Sequence, residues 1–211
     1  MTSQPNQSLS DGLACLNALC AAGTAVGGRE LARHLGQHHV KTNRLLMTLA
    51  SLGMVQQDEQ RRYFPAGGLH VLAALAGHGS GLLRRARPVL AELHQLWPQA
   101  TLAIGVRWQD KVAYLYHAGP GALAVDALRL PDLIDVDQSS IGQVLASDGP
   151  DYVGLIHGVA PNRHRSVAVP IVEFAGPVAG LAATQMPLTR KPETIAKRLQ
   201  AAAQAISQPV S

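Results

Sequence analysis

The chain has 211 residues, 47% apolar and 15% charged, which allows one large core or two smaller ones at about 100–150 residues per domain. Aromatic residues make up 4%, so aliphatic and Ala side chains must carry most of the packing. The formal charge of +4 sits wholly in the first half: residues 1–66 hold six Lys/Arg against four Asp/Glu, residues 67–98 three against one, and residues 99–211 nine against nine. A basic first half suits a phosphate-rich partner. A membrane span is excluded, because no run approaches the roughly 18 apolar residues one needs. The polar start from Met1 to Gln7 is no secretory leader, so a cytoplasmic protein is expected.

Leu9, Leu13, Leu16, Ala18 and Leu19 predict a first amphipathic helix ending at Gly23, with Ser8 or Ser10 as its cap. Cys15 and Cys20 lie five apart in it, so they are not helical neighbours and read as small buried hydrophobes in a reducing compartment. Gly27-Gly28 precedes a short second helix from Arg29 to Leu35, with Leu31, Ala32 and Leu35 on one side. Gly36 ends it, and a third helix follows from about His39 to Leu52, burying Leu45, Leu46, Leu49 and Leu52. Two helices around a tight turn form a helix-turn-helix, whose second helix fits a major groove about 12 Å wide. Next, residues 54–57 and 61–65 predict a hairpin about a polar turn at Asp58-Glu59-Gln60, the place of a wing.

The exposed side of the third helix carries His38, His39, Val40, Lys41, Asn43, Arg44 and Thr48. Asn can bond adenine and Lys or Arg guanine in a bidentate way. Arg29, Arg61 and Arg62 are placed for the sugar-phosphate backbone. The bland alternative is an ordinary solvated helix face. His34, His38 and His39 invite a metal, yet a turn separates them and no Cys, Asp or Glu completes a set, so no metal and no cofactor are assigned.

Leu69 to Ala76 predicts a linker helix between glycine-rich joints at 67–68 and 77–81. Leu82, Leu83, Ala86, Val89, Leu90, Leu93, Leu96 and Trp97 mark a longer helix that Pro88 should kink or begin. Strands are expected at 101–106 and 112–116, with Ala122 to Val125 extending the sheet, then at 166–172 and 177–185. A short helix at 140–146 and a final Ala-rich helix from Pro192 to Ile206 complete an α+β domain with an antiparallel sheet. Asp126, Asp132, Asp135, Asp137, Asp148 and Asp151 read as solvated loop charge, since no base or metal-ligand spacing joins them. Ser139 and Ser140 lack the glycines of a nucleophile elbow. No enzyme is expected. At the start of a helix these two serines offer hydroxyl and free N–H groups to a carboxylate, or serve simply as caps.

Several stretches in order resemble the IclR family of transcription regulators: Glu30-Leu31-Ala32 with Leu35-Gly36; Arg44-Leu45-Leu46 with Thr48-Leu49; Leu52-Gly53-Met54-Val55; and Arg62-Tyr63. Further on, Ala86-Arg87-Pro88-Val89-Leu90, Ser140-Ile141-Gly142-Gln143 through Ala146, and Ser166 to Ile171 continue the similarity, which spans roughly residues 8–208. It implies a winged helix-turn-helix at 1–66, a linker helix at 67–81 and a GAF-like effector-binding and oligomerisation domain at 82–211. It also implies a double-stranded DNA operator, a small organic-acid effector, and a homodimer or homotetramer. The pocket it implies lies near Ser139, Ser140, Ser166 and Thr184; the two strand residues would otherwise serve sheet hydrogen bonding. Departures are Gln37, Thr42 and Gln143, and the short connection at 147–165, from which a helix or more should be missing. Two other readings remain at this point: a regulator with a degenerate pocket, and a winged helix serving protein–protein contact.

Overall fold

The computed structural model describes residues 4–120, 133–146, 149–173 and 176–208. Ala122 to Val125, Asp126, Asp132 and Asp148 lie outside the described residues. The chain divides into two compact units, residues 1–79 and 80–211.

The first unit opens with α1 (Gln7–Ala22), capped by Asn6, whose side chain accepts from the Leu9 N–H at 3.1 Å. Asn6 therefore takes the part expected of Ser8 or Ser10. The helix ends at Gly23 in the left-handed conformation (φ 63°). β1 (Val26–Gly27), α2 (Gly28–His34), α3 (His39–Ser51), β2 (Val55–Gln57), β3 (Arg62–Pro65) and α4 (Gly67–Ser80) follow, with the small sheet in the order β1-β3-β2. Cys15, Leu19, Leu31, Leu46, Val55 and Tyr63 form the core.

The predicted apolar stripe is rotated on α1, whereas on α3 it holds for Leu45, Leu46 and Leu49. On α1 the inward residues are Gly12, Cys15 and Leu19, while Leu9 and Leu13 point outward at 64% and 51% exposure. Gly12 faces Leu45, with room for a Cβ in ordinary contact with Leu45 Cδ2 at 3.8 Å. On α3 the buried residues are Thr42 and Leu46; Leu45 and Leu49 are half-buried, and Leu52 is exposed. Thr42 is completely buried because its hydroxyl donates to Gln37 Oε1 at 3.1 Å, so the pair removes its polar groups from solvent together. α4 takes in Gly67, Gly68, Gly77 and Gly79, so of the expected joints at 67–68 and 77–81 only Gly81 breaks the helix, in the left-handed conformation (φ 62°) before α5. Gly68 is needed in α4: a Cβ would lie 2.6 Å from the Gly53 carbonyl oxygen.

The second unit contains α5 (Leu82–Leu96), β4 (Thr101–Trp108), β5 (Lys111–Ala118), β6 (Ile134–Asp135), α6 (Ser140–Val144), β7 (Val153–His157), β8 (His164–Glu173), β9 (Gly176–Met186) and α7 (Pro192–Ser207). The six strands form one antiparallel sheet in the order β6-β5-β4-β9-β8-β7. Alternation along the strands divides its faces. Leu102, Ile104, Val167, Val169, Leu181 and Ala183 pack under α5 and α7, whereas Ala103, Val112, Ala168 and Ala182 pack under α6. Arg85 ties the first face together, bonding the Ile206 carbonyl at 2.7 Å and forming an ion pair with Glu173. Pro88 lies inside α5. The short connection at 147–165 carries the edge strand β7, with Val153 to His157 paired against His164 to Ala168. Among the described residues no helix is long and apolar enough to cross a membrane.

Candidate nucleic-acid interface and ligand site

His38 sits at the N-cap of α3 with no side-chain cap bond. His38, His39, Val40, Lys41, Asn43, Arg44 and Thr48 are all exposed, while Thr42 and Leu46 anchor the opposite side. A groove of about 510 Å³ runs along this surface, lined by Ser8 of α1 and by His38, Lys41, Arg44 and Thr48. Asn43 is held from below: its Oδ1 accepts from the Tyr63 hydroxyl at 3.5 Å. Thr48 turns its hydroxyl to the Arg44 carbonyl at 3.1 Å, leaving its oxygen outward as an acceptor. Arg29 is exposed in the first turn of α2.

In the wing, Arg61 occupies the left-handed region (φ 60°) at the hairpin tip. Arg62 is exposed but engaged: its backbone N–H and its Nε both donate to Asp58, each at 2.8 Å. Those bonds hold the Asp58 carboxyl below the usual carboxylate range. Lys41 is likewise paired with Asp11 of α1, whose carboxyl is held low by Lys41 and then by Gln7. Sequence reasoning missed both acids. Asp58 had a signal in its place at the hairpin turn, four residues from Arg62; Asp11 lies 30 positions from Lys41 and had none. Among the described residues no group of three or more His, Cys, Asp or Glu is placed to hold a metal.

The predicted ligand residues gather on the α6 face of the second unit. Ser139 caps α6, its Oγ accepting from the Gly142 N–H at 3.3 Å, and the Tyr114 hydroxyl lies 3.4 Å away. Ser140 and Ser166, each about 95% buried, bond each other at 2.8 Å. Thr184 is half-buried on β9, directly opposite buried Thr101. Thr101, Tyr114 and Gln185 join this polar band without having been foreseen; the Thr101 hydroxyl donates to Gln185 Oε1 at 3.1 Å. Beside the band, Ile141 rests on glycines of two strands: a Cβ at Gly180 would come 2.7 Å from its Cγ2, and one at Gly105 3.3 Å.

Residues 8–59 match the IclR helix-turn-helix domain model. No curated protein sequence matches the chain. Solved structures similar in fold include an IclR-family transcriptional regulator from Brucella abortus (20% identity, 97% of this chain and 92% of that one, TM-score 0.77). Another, from Alicyclobacillus acidocaldarius, is 22% identical over 97% of this chain and 98% of that one, with TM-score 0.70. A third is an IclR homologue from Microbacterium hydrocarbonoxydans complexed with 4-hydroxybenzoate (18% identity, 95% and 98% coverage, TM-score 0.66).

Proposed function

We propose that the chain is a DNA-binding transcription regulator of the IclR kind, supported by the match of residues 8–59 to the IclR helix-turn-helix domain and by the similarity of its fold to IclR-family regulators along its length. α3 enters the major groove with His39, Lys41, Asn43 and Arg44 at base edges. His38, Val40 and Thr48 flank them, and Arg29, Arg61 and Arg62 meet phosphates. The observation that carries this is the division of α3, with polar tips outward and Thr42 and Leu46 inward. The exposed Val71, Leu72 and Leu75 of α4 supply an apolar surface for pairing subunits into a homodimer or homotetramer, so that two reading helices span two half-sites.

The second unit senses a small organic acid, aromatic in the leading case, seated by Ser139, Ser140, Ser166 and Thr184. A polar band on an otherwise apolar sheet face supports this, as does the 4-hydroxybenzoate held by a protein of similar fold. Binding shifts the regulator only insofar as the two states bind the acid unequally. One observation favours a second reading, a regulator that works without ligand: the Ser140 and Ser166 hydroxyls already satisfy each other, and Ile141 fills the space over Gly105 and Gly180.

Selection from a randomised duplex pool tests the first part, with enrichment of a two-fold symmetric motif expected. A contact role for the winged helix with proteins alone predicts no enrichment and little dependence on salt. Thermal shift of the protein–duplex complex with 4-hydroxybenzoate and other aromatic acids tests the second. A concentration-dependent shift absent in Ser166→Val supports the sensor; no shift with any acid favours the ligand-free regulator.

A further inference from the structure

Two of the six cations in the first 66 residues are held by carboxylates, and both belong to the proposed reading surface. Lys41 projects from the first turn of α3 against Asp11, and Arg62 projects from the wing against Asp58. In each pair the acid lies behind and the cation in front: side-chain exposures are 13% for Asp11 against 44% for Lys41, and 19% for Asp58 against 51% for Arg62. Each carboxylate has a second anchor as well. Gln7 Nε2 donates to Asp11 at 3.0 Å, and the Arg62 backbone N–H donates to Asp58 at 2.8 Å. By contrast Arg29, Arg33, Arg44 and Arg61 have no carboxylate partner among the described residues.

We infer that Asp11 and Asp58 are positioning residues that set the preference for a matched duplex over an arbitrary one, each fixing one cation of the reading surface and cancelling its charge at a distance. The inference rests on the DNA-binding reading. A free Lys or Arg attracts phosphate in any register, because its charge acts over a Debye length of about 8–10 Å and its stem adapts. A cation fixed to an acid behind it presents a short-range dipole instead. It meets phosphate or base only where the duplex docks in register, and there it is already ordered, which lowers the entropy cost of contact. The same contacts hold both carboxyls below the usual carboxylate range, Asp11 through Lys41 and Asp58 through the Arg62 backbone N–H first.

The test uses the full chain, a duplex that it selects from a randomised pool, and a scrambled duplex of the same composition. Binding is followed from about 50 to about 200 mM salt. Asp11→Asn and Asp58→Asn each free one cation. With a slope of about 0.9 per counterion, the loss of scrambled-duplex affinity across that fourfold salt range should grow about threefold per variant. At low salt the scrambled duplex should bind more tightly, and the matched-to-scrambled ratio should fall. Lys41→Gln should barely move the slope in the parent and should lower it by about 0.9 in the Asp11→Asn background. Asp11→Glu keeps the charge and should behave as the parent. The inference is overturned if the parent binds both duplexes but neither Asn variant changes the slope or the ratio. It is overturned too if Asp11→Glu acts like Asp11→Asn, which would make the role purely structural. If neither the parent nor any variant binds either duplex, the DNA-binding reading itself falls, and this inference with it.

Discussion

Asn43 and Arg61 represent the two kinds of contact the first unit offers, and their substitutions should look different. Asn43 stands on α3 with its amide held by Tyr63. Asn43→Ala should therefore relax preference at one base position, by about 1–3 kcal/mol, and leave the salt slope unchanged. Arg61 stands at the wing tip without a carboxylate partner among the described residues. Arg61→Ala should weaken all duplexes alike and reduce the slope by about 0.9. Repeating the pool selection with each variant separates the two. At this scale the sequence marks the side of α3 that faces solvent, since its polar residues cluster opposite Thr42 and Leu46. It was silent on what restrains them. The Asp11–Lys41 pair joins α1 to α3 across 30 positions, and only the packing of those helices brings the side chains together.

At the scale of elements, α3 and the wing were legible from periodicity and turn residues, yet the rotation of α1 was not. A pattern of leucines three and four apart fits two neighbouring stripes about equally well. Packing chose the stripe through Gly12, Cys15 and Leu19, leaving Leu9 and Leu13 outside. The glycines of α4 misled for a related reason: glycine weakens a helix by only about 1 kcal/mol relative to Ala, and at Gly68 the close approach to Gly53 requires the missing Cβ. Strand β7 was hidden by its shortness and by Gly154 and Gly158. In the second unit the seat of α6 depends on Gly180. Gly180→Ala, whose Cβ would press on Ile141 at 2.7 Å, should cost about 1–3 kcal/mol by overpacking. Combining it with Ile141→Val, which shortens the side chain, should recover part of that loss in a urea melt. A cost unchanged by the second substitution would remove Ile141 from the account.

For the whole molecule, stability should depend on pH through the second unit. Burial lowers the pKa of His94 and His117, and burial followed by the charge of His164 lowers that of His157. A folded-state histidine with a depressed pKa binds fewer protons than the unfolded chain, so its neutral form is favoured by folding. Stability is then fully present above the ordinary imidazole value of about 6.5 and declines as pH falls below it. Both tryptophans, Trp97 and Trp108, belong to this unit, so their fluorescence reports its melting. The midpoint should fall between pH 7.5 and pH 5.5, and His94→Gln should flatten that fall. Assembly supplies a second observable at this scale. Leu75 of α4 is 63% exposed, and Leu75→Glu should shift the sedimentation profile toward monomer and weaken binding to a two-half-site duplex far more than to a single half-site.

The outward polar face of α3 is the premise under all of this. Its most direct test is a salt titration of the selected duplex against the parent and a His39→Ala, Asn43→Ala, Arg44→Ala triple variant, with unchanged circular dichroism as the check on folding. The account predicts tight, salt-sensitive binding by the parent and a loss of at least a hundredfold in the variant, on the order of 3 kcal/mol for its base and phosphate contacts. A variant that keeps parental affinity and slope would contradict it.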